Sequence, residues 1–143
     1  MDQTEYIEDR LDDQINWYSR KSSINKSWYV RMQLSLLVLA ALITLTGGVN
    51  SFLNENWLSM ATAIMGALVA ILTGALKIYK YQENWTEYRT TVESLKHEKY
   101  LFMTKCEPYH GTNAFKVLVQ RVEGLISHEN SNWTSYMSEK VNQ

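Results

Sequence analysis

Two long stretches of the chain carry no charged side chain. The first covers residues 32–54 and the second covers residues 56–76, with only Glu55 between them. The hydrocarbon core of a bilayer is about 30 Å thick and needs about 20 apolar helical residues to cross it. Apolar helices of this kind also form the cores of soluble proteins, but two adjacent ones without a charge favour a membrane hairpin. We therefore predict an all-α membrane protein.

The pattern predicts a first span over 32–49, an outer loop over 50–56 and a second span over 57–76. Lys and Arg close to the spans set the orientation, because they remain on the cytoplasmic side. The predicted loop has none, and the flanking arms contain Arg20, Lys21, Lys26, Arg31, Lys77, Lys80 and Arg89. We expect both termini in the cytoplasm and residues 50–56 outside the membrane or in the periplasm. Aromatic residues typical of the membrane interface flank the spans: Trp28, Tyr29, Trp57, Tyr79 and Tyr81.

The N-terminal arm is predicted to form a cytoplasmic helix over 4–31. Its apolar residues Ile7, Leu11, Ile15 and Tyr18 recur at steps of four and three, as on one face of a helix. No Gly or Pro occurs before Gly47, so this helix could continue into the first span.

The C-terminal arm is predicted to contain two helices. One continues the second span over 77–106 and stops before the turn at Pro108; the other covers 112–137 and is capped by Thr112 or Asn113. The last helix carries one apolar stripe: Phe115, Leu118, Val119, Val122, Leu125, Ile126 and Trp133. This stripe requires a cover, so we expect a three-helix bundle in each subunit or one shared between subunits, with residues 1–143 as a single architectural unit.

Composition excludes several classes of function. A net charge of −1 indicates no nucleic-acid partner, and the acidic, polar N-terminus is unlike a secretory signal. A metal or catalytic site is not expected, since His97, His110, His128 and Cys106 each stand alone. No phosphate-binding glycine loop is present, so we expect no cofactor and no enzyme activity.

Small residues at steps of four line both predicted spans. They are Gly66, Ala70 and Gly74 in the second, and Ala40, Thr44 and Gly48 in the first. Such faces allow close approach of helix backbones, either within one hairpin or between subunits. Together with the span hydroxyls, the candidates for a pore-lining or packing face are Thr44, Gly48, Thr62, Gly66, Ala70, Thr73 and Gly74.

The polar residues of the predicted outer loop are candidates for a pore mouth: Asn50, Asn54 and Glu55. In a symmetric oligomer Glu55 would repeat as a ring that concentrates monovalent or divalent cations. The alternative is a solvated loop residue at the membrane boundary. No ionisable side chain lies inside either span, which argues against a pump or a proton-coupled transporter. Two alternatives remain: a passive pore gated by dewetting, and no pore at all.

A polar and aromatic group follows the second span: Gln82, Glu83, Asn84, Trp85, Tyr88 and Arg89. Its charges are explained by pairing on a helix surface, as between Lys80 and Glu83. Core packing explains Trp85 and Tyr88 as well as a functional role would.

Several segments resemble the SLATT group of small bacterial two-span proteins, particularly a branch known only as a domain of unknown function. The similar segments are Leu11–Tyr18, Ser19–Lys21, Tyr81–Trp85, Tyr88–Arg89, Glu93–Lys96 with Glu98 and Tyr100, Arg121–Glu123, Glu129–Asn130 and Trp133. The resemblance implies a hairpin with cytoplasmic helical extensions that oligomerises into a pore, in some branches as an effector of conflict systems. It brings no catalytic residues.

Two functions are compatible with these observations. The first is a homo-oligomeric inner-membrane ion channel or pore, selective for cations and gated or assembled through its cytoplasmic helices; its partners are lipid and further copies of itself. The second is a membrane-anchored scaffold or interaction module without a pore, which includes a component of a conflict-system effector.

Overall fold

The computed structural model describes the backbone of residues 2–53 and 55–141, and the side chains of these residues up to 128. Regular structure in this part of the chain is entirely helical. The elements are α1 (Gln3–Glu5), a π-helical segment (Tyr6–Asp12), α2 (Asp13–Leu53), α3 (Asn56–Tyr79), α4 (Tyr81–Met103) and α5 (Ala114–Val141).

Residues 1–143, expected to form one unit, divide into two compact units. The bundle unit comprises the chain up to Ser22 together with the chain from Thr86 onward, and the hairpin unit is Ser23–Trp85. The two units differ in the burial of their apolar side chains. The bundle unit has a buried core, whereas many apolar residues of the hairpin unit are exposed.

The bundle unit packs the N-terminal arm, α4 and α5 around one core. Buried side chains come from all three helices and from the turn before α5: Tyr6, Leu11, Ile15, Tyr18, Tyr88, Val92, Leu95, Phe102, Tyr109, Leu118, Val122 and Ile126. The predicted stripes of both arms are therefore confirmed for the residues whose side chains are described. Trp133, assigned to the same stripe, lies outside the described side chains.

The turn after α4 ends that helix earlier than residue 106. Lys105 adopts the left-handed conformation with φ 54°. Its N–H donates to the carbonyl of Phe102 (3.2 Å), and the N–H of Cys106 donates to that of Leu101 (3.0 Å). This is the Schellman pattern, which commonly ends helices with glycine and here uses lysine. The turn places the buried Tyr109 ring edge-on to Phe102, with centroids 5.6 Å apart.

The hairpin unit packs α2 against α3 along a seam with coiled-coil spacing. The half-buried or buried positions alternate in steps of three and four: Met32, Leu36, Leu39, Ile43, Thr46 and Asn50 on α2, and Leu58, Thr62, Met65, Val69, Leu72 and Leu76 on α3. This spacing keeps one face of each helix in contact over many turns. Polar contacts occur along the seam, where the Thr46 and Thr62 hydroxyl oxygens lie 3.0 Å apart.

The predicted outer loop over 50–56 is mostly helical. α2 continues to Leu53 and α3 begins at Asn56, which leaves only Asn54 and Glu55 between the helices. Hydrogen bonds explain the extension: the Ser51 hydroxyl donates to the Gly48 carbonyl (2.7 Å), and the Asn50 side chain accepts from the Glu55 N–H (3.0 Å).

The continuous helix expected over 77–106 is interrupted at Lys80. This residue has φ 49° and separates α3 from α4, although its N–H still donates to the Leu76 carbonyl (3.2 Å). The Asn84 side-chain amide donates to the Tyr79 carbonyl (3.3 Å). That amide satisfies a carbonyl at the end of α3.

Two helical segments are long and apolar enough to cross a membrane, Gln3–Leu53 and Asn56–Met103. Among the 18 most apolar consecutive residues of each segment, 0% and 6% are buried within the chain. Side chains such as Leu37 and Ile71 are about two-thirds exposed, at 68% and 66%. These helices are compatible with a membrane location.

Candidate functional site

The turn of the hairpin unit is organised by Asn50. Its amide nitrogen donates to the Ser59 hydroxyl (2.9 Å), and its amide oxygen accepts from the Glu55 backbone N–H (3.0 Å). Asn50 therefore closes the turn between α2 and α3. Glu55 has an extended backbone (φ −95°, ψ 124°), and its side chain is exposed. Asn54, the third candidate for a pore mouth, lies outside the described residues.

The small-residue faces do not form the contact between α2 and α3. Ala40, Thr44 and Gly48 are exposed and lie off the seam of α2. On α3, Gly66 and Ala70 are exposed and Gly74 is half-buried. Apart from its chain neighbours and the adjacent backbone of its own helix, a Cβ atom added at Gly48, Gly66 or Gly74 would meet no described atom within 4 Å. Packing within a single hairpin therefore leaves all of these residues except Gly74 exposed.

The candidate hydroxyl groups are held by their own helices. Thr44 donates to the Ala40 carbonyl (3.0 Å), Thr62 to Leu58 (2.9 Å) and Thr73 to Val69 (2.7 Å). This back-bonding satisfies each hydroxyl donor within its own helix. Thr44 and Thr73 are exposed, while Thr62 faces Thr46 across the seam.

The polar and aromatic group after α3 is divided between the two units. In the hairpin unit, Gln82 is exposed, Glu83 pairs with Lys80 (3.2 Å), and Asn84 bonds to the end of α3. Trp85 lies under the Lys26 ammonium, 5.4 Å from the ring centroid.

In the bundle unit, Tyr88 is buried with its ring 6.0 Å from those of Trp17 and Tyr18. Arg89 pairs with Glu93 on the helix surface (2.9 Å). Surface pairing and core packing thus describe most of this group.

Two carboxylates of the bundle unit each bind one arginine and one tyrosine. Glu98, only 6% exposed, accepts two hydrogen bonds from the Arg121 guanidinium (2.7 and 2.9 Å) and one from the Tyr109 hydroxyl. A bidentate arginine bond of this kind is among the strongest side-chain hydrogen bonds.

The second cluster joins the N-terminal arm to α5. Glu123 accepts two hydrogen bonds from the Arg10 guanidinium (both 3.1 Å) and one from the Tyr6 hydroxyl (3.1 Å). Arg10 and Glu123 are each 41% exposed, so this pair contributes less than the buried one. Neither cluster was predicted, because their members are far apart in the chain, although Glu98 and Arg121–Glu123 belong to the segments that carry the family resemblance.

The clusters shift the pKa values of their members. Burial raises the pKa of Glu98, but the hydrogen bonds from Arg121 and Tyr109 outweigh it and leave the pKa below its ordinary value. The hydrogen bond from Arg10 lowers the pKa of Glu123. Burial, followed by the adjacent carboxylates, raises the pKa values of Tyr6 and Tyr109, so both phenols stay protonated and keep donating.

These shifts predict that the bundle unit loses stability in acid. A carboxyl group with a lowered pKa in the folded state contributes stability above its unfolded pKa, which is near 4.5, and that contribution disappears as the pH falls through the folded pKa. We expect hydrogen exchange in α4 and α5 of the full chain to accelerate as the pH falls below about 4.5, after correction for intrinsic exchange. The double variant Glu98→Gln and Glu123→Gln should reduce this pH dependence; an unchanged dependence would contradict the assignment.

A groove between α4 and α5 lies beside the buried cluster. It has a volume of about 570 Å³ and is lined on α4 by Glu87, Thr90, Thr91, Ser94 and Glu98, and on α5 by Arg121, Gly124, Leu125 and His128. Glu87 and Glu98 supply negative charge and Arg121, which is bonded to Glu98, supplies positive charge, so the charge of the groove indicates no one ligand class. Within the described residues, no group of three metal-binding side chains comes together.

These features define an all-helical protein with one apolar hairpin of possible membrane-spanning length and one three-helix bundle. The chain belongs to the family described as "Protein of unknown function (DUF4231)", whose model matches residues 13–116. The matched region contains α2, α3, α4 and the turn that positions Tyr109. No curated protein and no solved structure matches the chain.

Proposed function

We propose that this protein is a two-span protein of the bacterial inner membrane, of the SLATT type, whose copies assemble into a cation-preferring channel. Both termini lie in the cytoplasm in this proposal, and the turn at Glu55 faces outward. The charge distribution supports the orientation, because the hairpin unit has Lys26, Arg31, Lys77 and Lys80 towards one end and none at its turn.

The position of the small-residue faces carries the proposal of an oligomer. Two helices cannot enclose an aqueous path, so a channel requires several copies. The seam already occupies one side of each helix, and the small residues around Thr44 and Ala70 remain exposed. Small faces that permit close backbone approach are a main means of helix association in lipid. Further copies of the hairpin are the partners that fit them.

Glu55 supports the preference for cations. It is the one carboxylate between Ser23 and Gln82, and its side chain is exposed at the turn. In a closed ring of subunits it would repeat at the outer end of the path, where like charges raise the local concentration of cations. The cytoplasmic bundle would then set the number of subunits or the gating.

Purified full-length protein in planar bilayers tests this proposal. We expect single-channel currents, and a reversal potential in asymmetric salt that shows cation preference. Glu55→Gln should reduce that preference severalfold because it removes the ring of charge, whereas Glu93→Gln, in an exposed pair on α4, should not. A folded oligomer without conductance at any voltage would refute the channel, and equal reversal potentials for Glu55→Gln and the unsubstituted protein would exclude Glu55 from it.

The second candidate is a membrane-anchored interaction module. One observation favours it: three helical segments of a single chain supply the buried core of the bundle unit, as far as its side chains are described. In that case the hairpin would serve as an anchor and the bundle would bind a soluble partner. The absence of conductance from a folded, lipid-embedded oligomer is the result expected for this alternative.

A further inference from the structure

One end of the hairpin unit concentrates positive charge. Between Ser23 and Gln82 the chain has four cations, Lys26, Arg31, Lys77 and Lys80, and a single carboxylate, Glu55, at the turn. All four cations are exposed. Lys26 and Arg31 lie in the first half of α2, Lys77 lies near the end of α3 and Lys80 follows α3 directly, so this end of the hairpin carries a cationic surface.

Aromatic side chains join the two helices at the same end. The rings of Trp28 and Tyr81 stack at 6.5 Å, and those of Tyr79 and Tyr81 at 5.4 Å. The Lys26 ammonium lies 5.4 Å from the Trp85 centroid. These contacts place residues 26–28 of α2 beside residues 81–85 of α4. Tyr and Trp are enriched at this depth of membrane proteins because their rings are apolar and their edges are polar.

Exposed apolar side chains occur at the same end of the hairpin as the cations. Val30 is 51% exposed and Ile78 is 65% exposed, one step along the chain from Arg31 and from Lys77 respectively. A ligand that fits this surface has both an anionic group and an apolar part. Free phosphate offers only the first, whereas a phospholipid offers both.

Lys80 is the most unusual of the four cations. Its φ of 49° lies in the left-handed region, where a lysine is less favourable than a glycine. Glycine would adopt this backbone conformation more easily, so the conformation does not explain why a lysine occupies position 80. One of its partners, Glu83, is 68% exposed and Lys80 itself 44%, and such an exposed pair is weak. An anionic headgroup can therefore compete for the ammonium.

We propose that this end of the hairpin binds the headgroups of anionic phospholipids, with Lys26, Lys77 and Lys80 at the phosphates and Trp28, Tyr79 and Tyr81 at the level of the glycerol. This inference rests on the membrane placement proposed above. It adds a selectivity that the placement does not require, namely for anionic over zwitterionic lipid. Each lysine near an anionic surface should raise the relative affinity about fivefold.

The test uses the full chain in nanodiscs of phosphatidylglycerol and phosphatidylcholine at equal amounts, followed by native mass spectrometry of the lipids retained. The unsubstituted protein should retain an excess of phosphatidylglycerol. Lys80→Gly keeps the left-handed backbone and removes the charge, so it should lower that excess about fivefold, and Lys77→Gln with Lys80→Gly should lower it further. Lys116→Gln, an exposed lysine on α5, is the matched control and should change nothing.

Equal retention of the two lipids by the unsubstituted protein, or an equal effect of Lys116→Gln and Lys80→Gly, would overturn the inference. Displacement of the retained lipid by inorganic phosphate would assign the site to free phosphate, and it would overturn the choice of lipid. Vesicle flotation tests the membrane placement separately. A chain that does not float with vesicles of either lipid contradicts the proposed function itself. A variant that floats but does not discriminate between the lipids has kept its fold and lost the headgroup contacts.

Discussion

Replacing Arg121 with methionine should lower the free energy of unfolding of the bundle unit by about 1–3 kcal/mol, the cost of leaving a buried acceptor without its donor. The Arg121 side chain is itself 51% exposed, so solvent reduces the effect below that of a fully buried ion pair. The substitution removes both guanidinium hydrogen bonds from Glu98, whose side chain is only 8% exposed. The carboxylate would remain buried with Tyr109 as its one described donor, and a buried charge without its counter-ion is strongly destabilising. Hydrogen exchange of α4 and α5 in the full-length protein measures the effect.

Two further variants separate loss of charge pairing from loss of arginine itself. Arg89→Met breaks an exposed pair with Glu93 on the same bundle and should cost less than about 1 kcal/mol. Adding Glu98→Gln to Arg121→Met removes the unpaired charge and should restore most of the lost stability, since an amide oxygen still accepts from Tyr109. If Arg89→Met and Arg121→Met cost the same, the buried cluster is not a major source of stability.

Replacing Leu118 with alanine should cost about 2–5 kcal/mol. Leu118 is fully buried at the centre of the α5 stripe, and its removal leaves a cavity that a well-packed core cannot fill. Denaturant unfolding in detergent of a variant that keeps Trp17 and has phenylalanine at the other four tryptophans, followed by fluorescence, should show an earlier transition of the bundle unit. Trp17 reports on this unit because it lies against the core residues Tyr18 and Tyr88. That transition is the quantity to compare between variants.

Met103→Ala is the control for the leucine substitution. Met103 is 62% exposed on α4, so its truncation removes little buried surface and should change stability by less than about 0.5 kcal/mol. An equal loss in both variants would mean that the α5 stripe is not packed as described. Because Leu118 lies in the bundle unit, exchange rates in the seam of the hairpin unit should stay unchanged.

The helices themselves could be predicted from the sequence because periodicity is a local property. The stripe through Leu11 and Tyr18, and the stripe through Leu118 and Val122, identify the buried faces without knowledge of their partners. The same holds for the two uncharged stretches, whose length follows from composition alone. The presence of small residues at Gly66 and Ala70 did not show which face meets α2, because the seam depends on contacts with the other helix.

Three features could not be predicted, and each depends on tertiary contacts or on an unusual backbone conformation. Glu123 pairs with Arg10, which is 113 positions away in the sequence, and no spacing rule links such residues. Lys80 interrupts a helix in a left-handed conformation that is expected of glycine, not lysine. The outer turn is shorter than residues 50–56 because the Asn50 side chain hydrogen-bonds to the Glu55 N–H and to the Ser59 hydroxyl.

The two carboxylate clusters together fix the rotation of α5 about its own axis. Arg121 and Glu123 are two positions apart, which places them about 200° apart around a helix. One binds Glu98 of α4 and the other binds Arg10 of the N-terminal arm. A turn of α5 in either direction would separate both pairs at once, whereas an apolar stripe alone would tolerate a small rotation. The two ion pairs therefore restrict rotation of α5 about its axis, and they keep the stripe through Leu118 directed at the core.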